Sequence, residues 1–362
     1  MRPSTKRALW APAVLLVASA TLAACSSSGS GSSASSASAS SSSGASGSLK
    51  TGLKVFIIPK NLGNPYFTTA DSVNSGGAMA ALQTLGETAS ETSGTAATPS
   101  SQIPAIQAAI TKGANALIVS ATDPAALCPT LKAAMTKGIT VVTYDSDAPT
   151  CRNLFVNQAS TAQIGTSEVD LLAKEIHSSG QIAIVSAAAS ATNQNAWIGY
   201  MKQQLKKYPK MKLVSTVYGN DDPTTATQVT QGLLQHYPNL KGIISPTTVG
   251  ISTAAQYLDT HKNLLSHLTL TGLGLPSQMR KYVEDGTVAK FELWNPSNLG
   301  YLAGYAAASL ASGTASLTPG SNFSAGSLGS YTVLAPAAGT GPSVVLGPPT
   351  VFDKTNISQF NF

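Results

Sequence analysis

Short apolar runs of strand length alternate with segments of helical periodicity along most of this chain. Many of the runs are continuous and rich in β-branched residues, which is typical of parallel strands buried on both faces. Strand-like runs lie at 53–58, 116–120, 140–144, 154–156, 182–185, 212–218, 242–245, 268–272 and 288–294. Helical segments lie at 101–112, 125–137, 161–178, 196–207, 223–237 and 251–259. This alternation predicts an α/β fold with doubly wound parallel sheets.

Two segments fit the alternation poorly. Residues 87–97 stand where a second strand is expected, but they are rich in Thr and Ser. Residues 313–345 are rich in Gly, Ser and Pro and show little periodicity. For the second segment we predict a meandering return with short strands near 331–334 and 344–346.

A weak internal repeat suggests that the fold has two similar halves. In residues 113–124 and again in 239–248, an apolar strand ends in serine and a polar turn follows. We therefore expect two lobes whose strand ends face each other. A ligand between them would contact both lobes, which couples lobe closure to binding.

The first 25 residues are typical of an export signal. A basic start precedes an apolar stretch at 8–20, and small residues then lead into Cys25. This resembles a bacterial lipoprotein signal, in which the cysteine becomes the lipidated first residue. A transmembrane anchor is the alternative, but the apolar stretch is shorter than the ~20 residues that a span needs. Residues 26–50, mostly Ser, Gly and Ala, are predicted to form a flexible tether.

The charge of the chain does not favour nucleic acid as a partner. Only 10% of the 362 residues are charged, and the formal net charge is +6. Three basic residues precede Cys25 and no acidic residue does, so +3 remains for the rest of the chain. The remaining Lys and Arg are scattered, whereas a surface that follows phosphates needs them clustered.

Two cysteines follow Cys25, at positions 128 and 151. In an exported protein an even pair suggests one disulfide, Cys128–Cys151, closing a loop across a helix and a strand. Two buried free thiols are the alternative.

The stretch at 58–67 is a strand-to-helix turn that carries polar and aromatic side chains together. It contains Lys60, Asn61, Asn64 and the adjacent rings of Tyr66 and Phe67. In a parallel sheet this turn lies at the carboxyl end of a strand, where ligands bind. Amides and an ammonium suit hydroxyl groups, and rings suit the C–H face of a sugar. An ordinary turn, with Asn and Gly serving its geometry, is the alternative.

Further turns after strands carry side chains of the same kind. They lie at 144–147, 157–158, 192–195 (followed by Trp197), 246–248 and 294–296. Together they supply amides, a carboxylate and rings, which suits a polyol ligand. Each could instead be structural, with Asp or Asn capping a helix and tryptophan in the core.

Catalysis has little support in the sequence. Asp145 and Asp147 could form a carboxylate pair for glycoside hydrolysis, but they share one turn and no second acidic turn stands opposite. The four histidines lack the spacing of metal ligands or of a triad. No glycine-rich phosphate loop is present. We therefore expect no enzyme activity, no cofactor and no metal site.

From about residue 51 to 362, the chain resembles the type I periplasmic solute-binding proteins of ABC sugar importers. Within that family it is similar to the rhamnose-binding branch, whose near relatives bind autoinducer-2. The stretches that carry the resemblance are IPKNLGNPYF (58–67), TYDSD (143–147), FVNQAS (155–160), ATNQNAW (191–197), ISPTTVGI (244–251), residues 272–288, LWNPSNLGYLA (293–303) and TVFDKTNI (350–357).

The resemblance implies a set of ligand-binding residues in the cleft. These are Lys60, Asn64, Phe67, Asp145, Asn193, Gln194, Pro246, Thr248, Trp294 and Asn295. The chain departs from the autoinducer-binding pattern where Asn193 replaces an acid and Thr248 replaces an alanine. Because an acid at the first position would suit the extra hydroxyls of autoinducer-2, the departure favours a deoxyhexose. Trp294, Phe67 or Leu275 would then face the methyl group of rhamnose.

The family fold implies two lobes joined by a hinge of three crossovers. We expect 51–158 and 295–335 to form the first lobe, and 159–294 and 336–362 the second. The implied function is capture of a monosaccharide, L-rhamnose in particular, by a monomeric, lipid-anchored extracytoplasmic protein that delivers it to an ABC permease. An autoinducer-2 receptor, a transcriptional regulator on the same fold and a secreted hydrolase are the alternatives. The regulator would need an N-terminal helix-turn-helix, where this chain has a signal and a tether.

Overall fold

The computed structural model describes residues 48–362. The predicted export signal, Cys25 and nearly all of the predicted tether fall outside the described residues. The strands are β1 (Lys54–Ile58), β2 (Thr88–Glu91), β3 (Ala116–Val119), β4 (Thr140–Tyr144), β5 (Leu154–Asn157), β6 (Gly180–Ser186), β7 (Met211–Tyr218), β8 (Leu240–Ser245), β9 (Thr269–Gly272), β10 (Phe291–Leu293), β11 (Asn322–Ser324), β12 (Ser330–Thr332), β13 (Ser343–Val345) and β14 (Thr350–Phe352). The α-helices are α1 (Pro65–Asp71), α2 (Ala78–Thr84), α3 (Pro99–Thr111), α4 (Pro124–Thr136), α5 (Thr161–Glu175), α6 (Thr192–Gln204), α7 (Pro223–His236), α8 (Thr248–Thr260), α9 (Pro276–Glu284) and α10 (Pro296–Ser312).

The first lobe is built on a six-stranded parallel sheet in the order β13-β5-β4-β3-β1-β2. Strand β3 is buried along its whole length, as its continuous apolar sequence predicts. Helices α3 and α4 pack together over one apolar face of the sheet. Helix α10 packs against β3, β4 and β5, and also contacts α1 and α2.

The second lobe is built on a four-stranded parallel sheet in the order β7-β6-β8-β9. Helix α5 packs on β8 and β9 and contacts α6, while α7 packs on β6 and β7 and contacts α8. Beyond β9, the bridge between Leu273 and Glu292 joins β10 to the end of this sheet. Strand β14 pairs antiparallel with β10. The predicted α/β fold with two parallel-sheet lobes is confirmed.

Three connections join the lobes, as the family resemblance implies. The chain leaves the first sheet after β5, returns from β10 into α10, and leaves again between β13 and β14. The last of these corrects the expected division at residue 335. Because Ser343–Val345 pairs with β5, this part of the return segment belongs to the first lobe, and the third crossing lies between 345 and 350.

The structure contains a strand at Thr88–Glu91, within the Thr- and Ser-rich segment 87–97 that fitted the sequence pattern poorly. It lies at the edge of the first sheet and is only partly buried, so its Thr and Ser side chains need no apolar surroundings. The short strands expected near 331–334 and 344–346 are present as β12 and β13, within one or two residues. The run expected at 288–294 is a strand only over Phe291–Leu293.

Helix α10 approaches α1 very closely, and one glycine makes this possible. A Cβ atom on Gly300 would lie 1.7 Å from the carbonyl oxygen of Ala70 in α1. Since no side chain fits at that distance, glycine at position 300 is what allows α1 to lie this close to α10. Helix α1 begins at the turn that carries Lys60, so the packing of α10 also positions the candidate site.

The two cysteines of the first lobe are bonded in the structure, with their Cα atoms 5.3 Å apart. The bond joins Cys128 in α4 to Cys151 in the loop between β4 and β5. Within residues 48–362, the structure shows no helix with the length and apolar character to cross a membrane.

Candidate functional site

The candidate site begins at the turn between β1 and α1. Asn64 caps α1, since its side-chain oxygen accepts a hydrogen bond from the backbone N–H of Tyr66 at 3.0 Å. Pro65 follows at the first helical position, which its fixed φ favours. Lys60 lies earlier in the turn, with its side chain only 4% exposed. Burial of an ammonium group is costly unless it is paired, so its partners define the site.

Asp145 is the main partner of Lys60. The Lys60 Nζ and Asp145 Oδ2 atoms are 3.3 Å apart, and the carboxylate also accepts a hydrogen bond of 2.7 Å from Ser120 Oγ. Asp145 has φ +60°, in a three-residue turn closed by the N–H of Ser146 donating to the carbonyl of Tyr144. A non-glycine residue in this conformation is strained, and such strain clusters at functional sites.

Asn193 links this pair to the second lobe. Its Nδ2 donates to Asp145 Oδ1 at 3.2 Å, while its Oδ1 accepts from Lys60 Nζ at 3.3 Å and from the N–H of Gln194 at 2.9 Å. Asn193 lies near the start of α6, so these bonds cross between the lobes. The amide suits the place because it donates to the carboxylate and accepts from the ammonium.

Aromatic rings form another wall of the site. Trp294 Nε1 donates a 2.8 Å hydrogen bond to the hydroxyl of Tyr66, and the two rings meet edge to face with centroids 6.2 Å apart. The Phe67 ring lies edge-on to Tyr66, and the ring centroids of Trp197 and Trp294 are 5.9 Å apart. Burial raises the pKa of the Tyr66 hydroxyl well above its ordinary value, and the nearby Asp145 carboxylate raises it further. This hydroxyl therefore stays protonated.

A buried hydrogen bond between a tyrosine and a carboxylate lies next to Phe67. The hydroxyl of Tyr144 donates to both carboxylate oxygens of Asp71, at 2.9 and 2.8 Å. Burial raises the pKa of Asp71 well above its ordinary value, and the Glu91 carboxylate adds to this effect. The contact ties the end of α1 to the strand that precedes Asp145.

Polar and aromatic groups of both lobes surround a space of about 340 Å³, open solvent included, here called the inner cavity. Its lining residues are Lys60, Asn64, Tyr66, Phe67, Asp145, Gln194, Trp197, Asp221, Pro246, Thr247, Thr248, Leu273, Leu293 and Trp294. Eight of the ten predicted ligand-binding residues are among them. Their role in binding stays a prediction.

Gln194 contributes to the lining of the inner cavity a buried oxygen atom that has no hydrogen-bond partner among the described residues. Its side chain is buried, and its Oε1 atom has no hydrogen-bond partner within the described part of the chain. Buried polar atoms without a partner are rare in folded proteins. A hydroxyl donor on a bound ligand would satisfy this oxygen.

Two predicted ligand-binding residues do not line the inner cavity, and Leu275 also lies outside it. The Asn193 side chain is committed to Lys60 and Asp145 and borders a neighbouring cavity instead. Asn295 caps α10, where its side-chain oxygen accepts a 2.9 Å bond from the N–H of Ser297. Leu275 is buried just before α9, and the leucines that do line the cavity come from elsewhere: Leu273 and Leu293.

The second acid of the TYDSD turn does not pair with Asp145. Both oxygens of Asp147 accept hydrogen bonds from the Arg152 guanidinium, at 2.8 and 2.9 Å, and Thr143 donates to one of them. Asp147 is therefore bound to Arg152 and Thr143 within the first lobe. Among the described residues, no group of three or more His, Cys, Asp or Glu side chains could hold a metal ion.

Sequence reasoning missed Asp221 as a site residue. It follows β7 in the stretch Gly219–Pro223, and it accepts a hydrogen bond from Thr247 Oγ1. Burial raises its pKa, and the nearby Lys60 ammonium lowers it. The signal was present in the sequence, because a polar Asn-Asp-Asp turn follows a predicted strand just as the other selected turns do.

Comparison with known proteins agrees with this geometry. The family described as a periplasmic binding protein domain matches residues 55–315 of the chain. The chain belongs to this family. Periplasmic binding proteins are extracytoplasmic components of transport systems, and the match includes most of both lobes.

Several solved periplasmic binding proteins that are similar to this chain contain bound ligands. An ABC transporter solute-binding protein from Clostridium phytofermentas with bound L-rhamnose is 37% identical, with a TM-score of 0.81 over 86% of this chain and 98% of that chain. LsrB from Clostridium saccharobutylicum in complex with AI-2 is 26% identical, with a TM-score of 0.80 over 86% of this chain and 100% of that chain.

A third periplasmic binding protein has higher sequence identity and lower structural similarity. A sugar ABC transporter protein from Actinomyces odontolyticus is 40% identical, with a TM-score of 0.66 over 86% of this chain and 98% of that chain. These similarities identify the chain as a sugar ABC solute-binding protein.

Proposed function

We propose that this protein captures L-rhamnose in the inner cavity and delivers it, chemically unchanged, to an ABC permease. The observation that carries the proposal is the polar set of Lys60, Asp145 and the unpartnered Gln194 Oε1 beside a ring wall. An ammonium, a carboxylate and an amide can each bond a sugar hydroxyl. The similarity to the rhamnose-bound solute-binding protein supports the choice of sugar.

The apolar part of the cavity supports a deoxy sugar in particular. Leu273, Leu293 and Trp294 line it on the side of the second lobe's last strands. L-rhamnose differs from L-mannose by having a methyl group where mannose has a hydroxymethyl group. A methyl group against this wall needs no hydrogen bond, whereas a buried hydroxyl without a partner costs free energy.

Hydrogen bonds between the lobes indicate how closure would be stabilised. Ser190 Oγ donates to the carbonyl of Thr122 at 3.1 Å, and Thr192 Oγ1 donates to the carbonyl of Asp147 at 3.1 Å. Moving an equilibrium from 1% to 99% closed takes about 5.5 kcal/mol of differential affinity. Hydrogen bonds to charged groups contribute about 1.5 to 3 kcal/mol each, so a few bonds to Lys60 and Asp145 would suffice.

Calorimetric titration with a sugar panel tests the proposal. The panel contains L-rhamnose, L-mannose, D-ribose, D-arabinose and autoinducer-2. We expect L-rhamnose to bind most tightly and L-mannose to bind at least tenfold more weakly, because only the latter buries an extra hydroxyl. No binding of L-rhamnose, or equal binding of the two hexoses, would contradict the proposal.

An autoinducer-2 receptor is the second candidate. The structural similarity to LsrB in complex with AI-2 favours it. Asn193 weighs against it, because the resemblance places an acid at this position in autoinducer-binding relatives. Heat released with autoinducer-2 and with no other member of the panel would reverse the order of the two candidates.

We further propose that Cys25 is lipidated and anchors the protein to the outer face of the cell membrane. The apolar stretch and small residues before Cys25 support this proposal. Cells that express the full chain should retain the protein in the membrane fraction, and Cys25→Ser should abolish the lipid mass. An unmodified Cys25 in the membrane-bound protein would contradict the proposal.

A further inference from the structure

Asp221 lines three neighbouring cavities in the described part of the chain. It borders the inner cavity, a small neighbouring cavity and a larger outer cavity. No other described residue lines all three. Asp221 therefore lies where these three cavities adjoin.

The backbone holds Asp221 in a specific conformation. Asn220 and Asp221 have φ +57° and +51°, so two consecutive non-glycine residues are left-handed. Such residues persist only where their surroundings fix them. One constraint is Gly219, whose added Cβ would lie 2.8 Å from the Cβ of Ala226 in α7. The turn is pressed against α7, and this packing contributes to the direction in which Asp221 points.

The polar groups around Asp221 come from both lobes, and the charged ones come from the first lobe. Lys60 and Asp145 of the first lobe face it, and Thr247 of the second lobe donates a hydrogen bond to it. Lys60, Asp145 and Asp221 are the charged residues among the inner-cavity lining, with Tyr66 as its other titratable group. With the three charged groups ionised, the inner cavity carries a net charge of −1.

We propose that Asp221 is a specificity-determining residue that accepts a hydroxyl hydrogen bond from the sugar and makes the inner cavity reject acidic sugars. This inference deepens the proposed function and rests on it. Thr247 satisfies only part of the carboxylate, which has about four lone-pair sites. A sugar carboxylate in the same place would face two carboxylates against one ammonium, and like charges disfavour binding.

The test compares Asp221→Asn with Asp222→Asn in the mature protein. Asn keeps the shape of Asp and can still accept the bond from Thr247, while it loses the negative charge. Asp222 is the matched control because it is the next carboxylate in the same turn, is exposed and does not line the inner cavity. Calorimetry at pH 7.5 measures L-rhamnose and L-rhamnonate, the aldonic acid of the same sugar.

We expect Asp221→Asn to weaken L-rhamnose binding by roughly tenfold or more, since a hydrogen bond to a charged group is lost. Asp222→Asn should bind L-rhamnose within about twofold of the wild type, because it changes no lining group. Wild-type protein should bind L-rhamnonate at least about a hundredfold more weakly than L-rhamnose, and Asp221→Asn should narrow that ratio.

The outcomes separate this inference from the function on which it rests. If wild-type protein binds no monosaccharide, the proposed function fails. If wild-type protein binds L-rhamnose, and Asp221→Asn binds it with the same affinity and the same preference over L-rhamnonate, this inference alone is overturned. A crystal structure of the wild-type sugar complex gives an answer that does not depend on variant folding. A sugar hydroxyl within about 3.2 Å of the Asp221 carboxylate is expected, and its absence would refute the contact.

Discussion

A buried carboxylate in β10 should make the stability of this protein fall as the pH rises. Glu292 is 1% exposed and accepts a hydrogen bond from Ser167 in α5. Burial raises its pKa from 4.5 to about 7. The neighbouring Glu168 is also buried, and its own pKa is raised well above the ordinary value by burial and by Glu292. The perturbation we consider is Glu292→Gln, which keeps an acceptor for Ser167 and cannot ionise.

The sign and size of the effect follow from proton linkage. Below pH 4.5, Glu292 is protonated in both the folded and the unfolded chain, so it has no effect on the pH dependence. Between pH 4.5 and about 7 the folded state binds more protons, so the free energy of unfolding falls as the pH rises. The interval of about 2.5 pH units corresponds to about 3 kcal/mol of stability lost by pH 8.

Urea unfolding followed by tryptophan fluorescence at several pH values between 4.5 and 8 measures this loss. We expect the wild type to lose about 3 kcal/mol more than Glu292→Gln across the range, so the variant is the more stable protein at pH 8. Glu284→Gln is the matched control, because Glu284 is a glutamate exposed on α9. Parallel pH profiles for wild type and Glu292→Gln would refute the assignment of the titration to this residue.

Three further predictions concern the site, the helix packing and the disulfide. Lys60→Met should lower the affinity for L-rhamnose by roughly 10- to 100-fold in calorimetry, because a charged hydrogen-bond donor is lost; unchanged affinity would remove Lys60 from the site. Gly300→Ala should lower the free energy of unfolding by about 1 to 3 kcal/mol, whereas Gly232→Ala in α7, where an added Cβ meets nothing within 4 Å, should raise it by roughly 0.5 to 1 kcal/mol. Equal effects in urea unfolding would contradict the packing argument. Replacing Cys128 and Cys151 by Ser should cost about 3 kcal/mol for a sequence separation of 23 residues; a melting temperature unaffected by reductant in the wild type would argue against a stabilising bond.

The strands and helices of this fold are largely readable from the sequence because most strands are continuous apolar runs. Strand β2 is one exception, since an edge strand that is only partly buried carries Thr and Ser and lacks the apolar signal, and the short strands β11 and β14 were not predicted either. Strand β13 has the expected position in the sequence, but its place in the first sheet depends on a crossing that local pattern does not reveal. Topology of this kind is set by pairing between residues far apart in the chain.

The sequence identified the turns that form the candidate site, but it did not show which side chain of each turn lines the inner cavity. Lys60 and Asp145 come together because their strands, β1 and β4, flank β3 in one parallel sheet. Asn295 caps α10, and a helix cap has the same sequence signature as a ligand-binding amide, so its role in binding stays a prediction. Asp221 was missed although its polar turn follows a predicted strand; the proximity of that turn to Lys60 of the other lobe is visible only in the three-dimensional arrangement.

The three connections between the lobes have a consequence for how the chain assembles. The sheet of the first lobe reaches its final width only when residues 343–345 join β5, almost two hundred positions later in the sequence. Until α10 has been synthesised, the apolar surface of β3, β4 and β5 beneath it stays uncovered. A fragment that stops before residue 296 is therefore expected to aggregate, and contacts over such long separations favour slow folding.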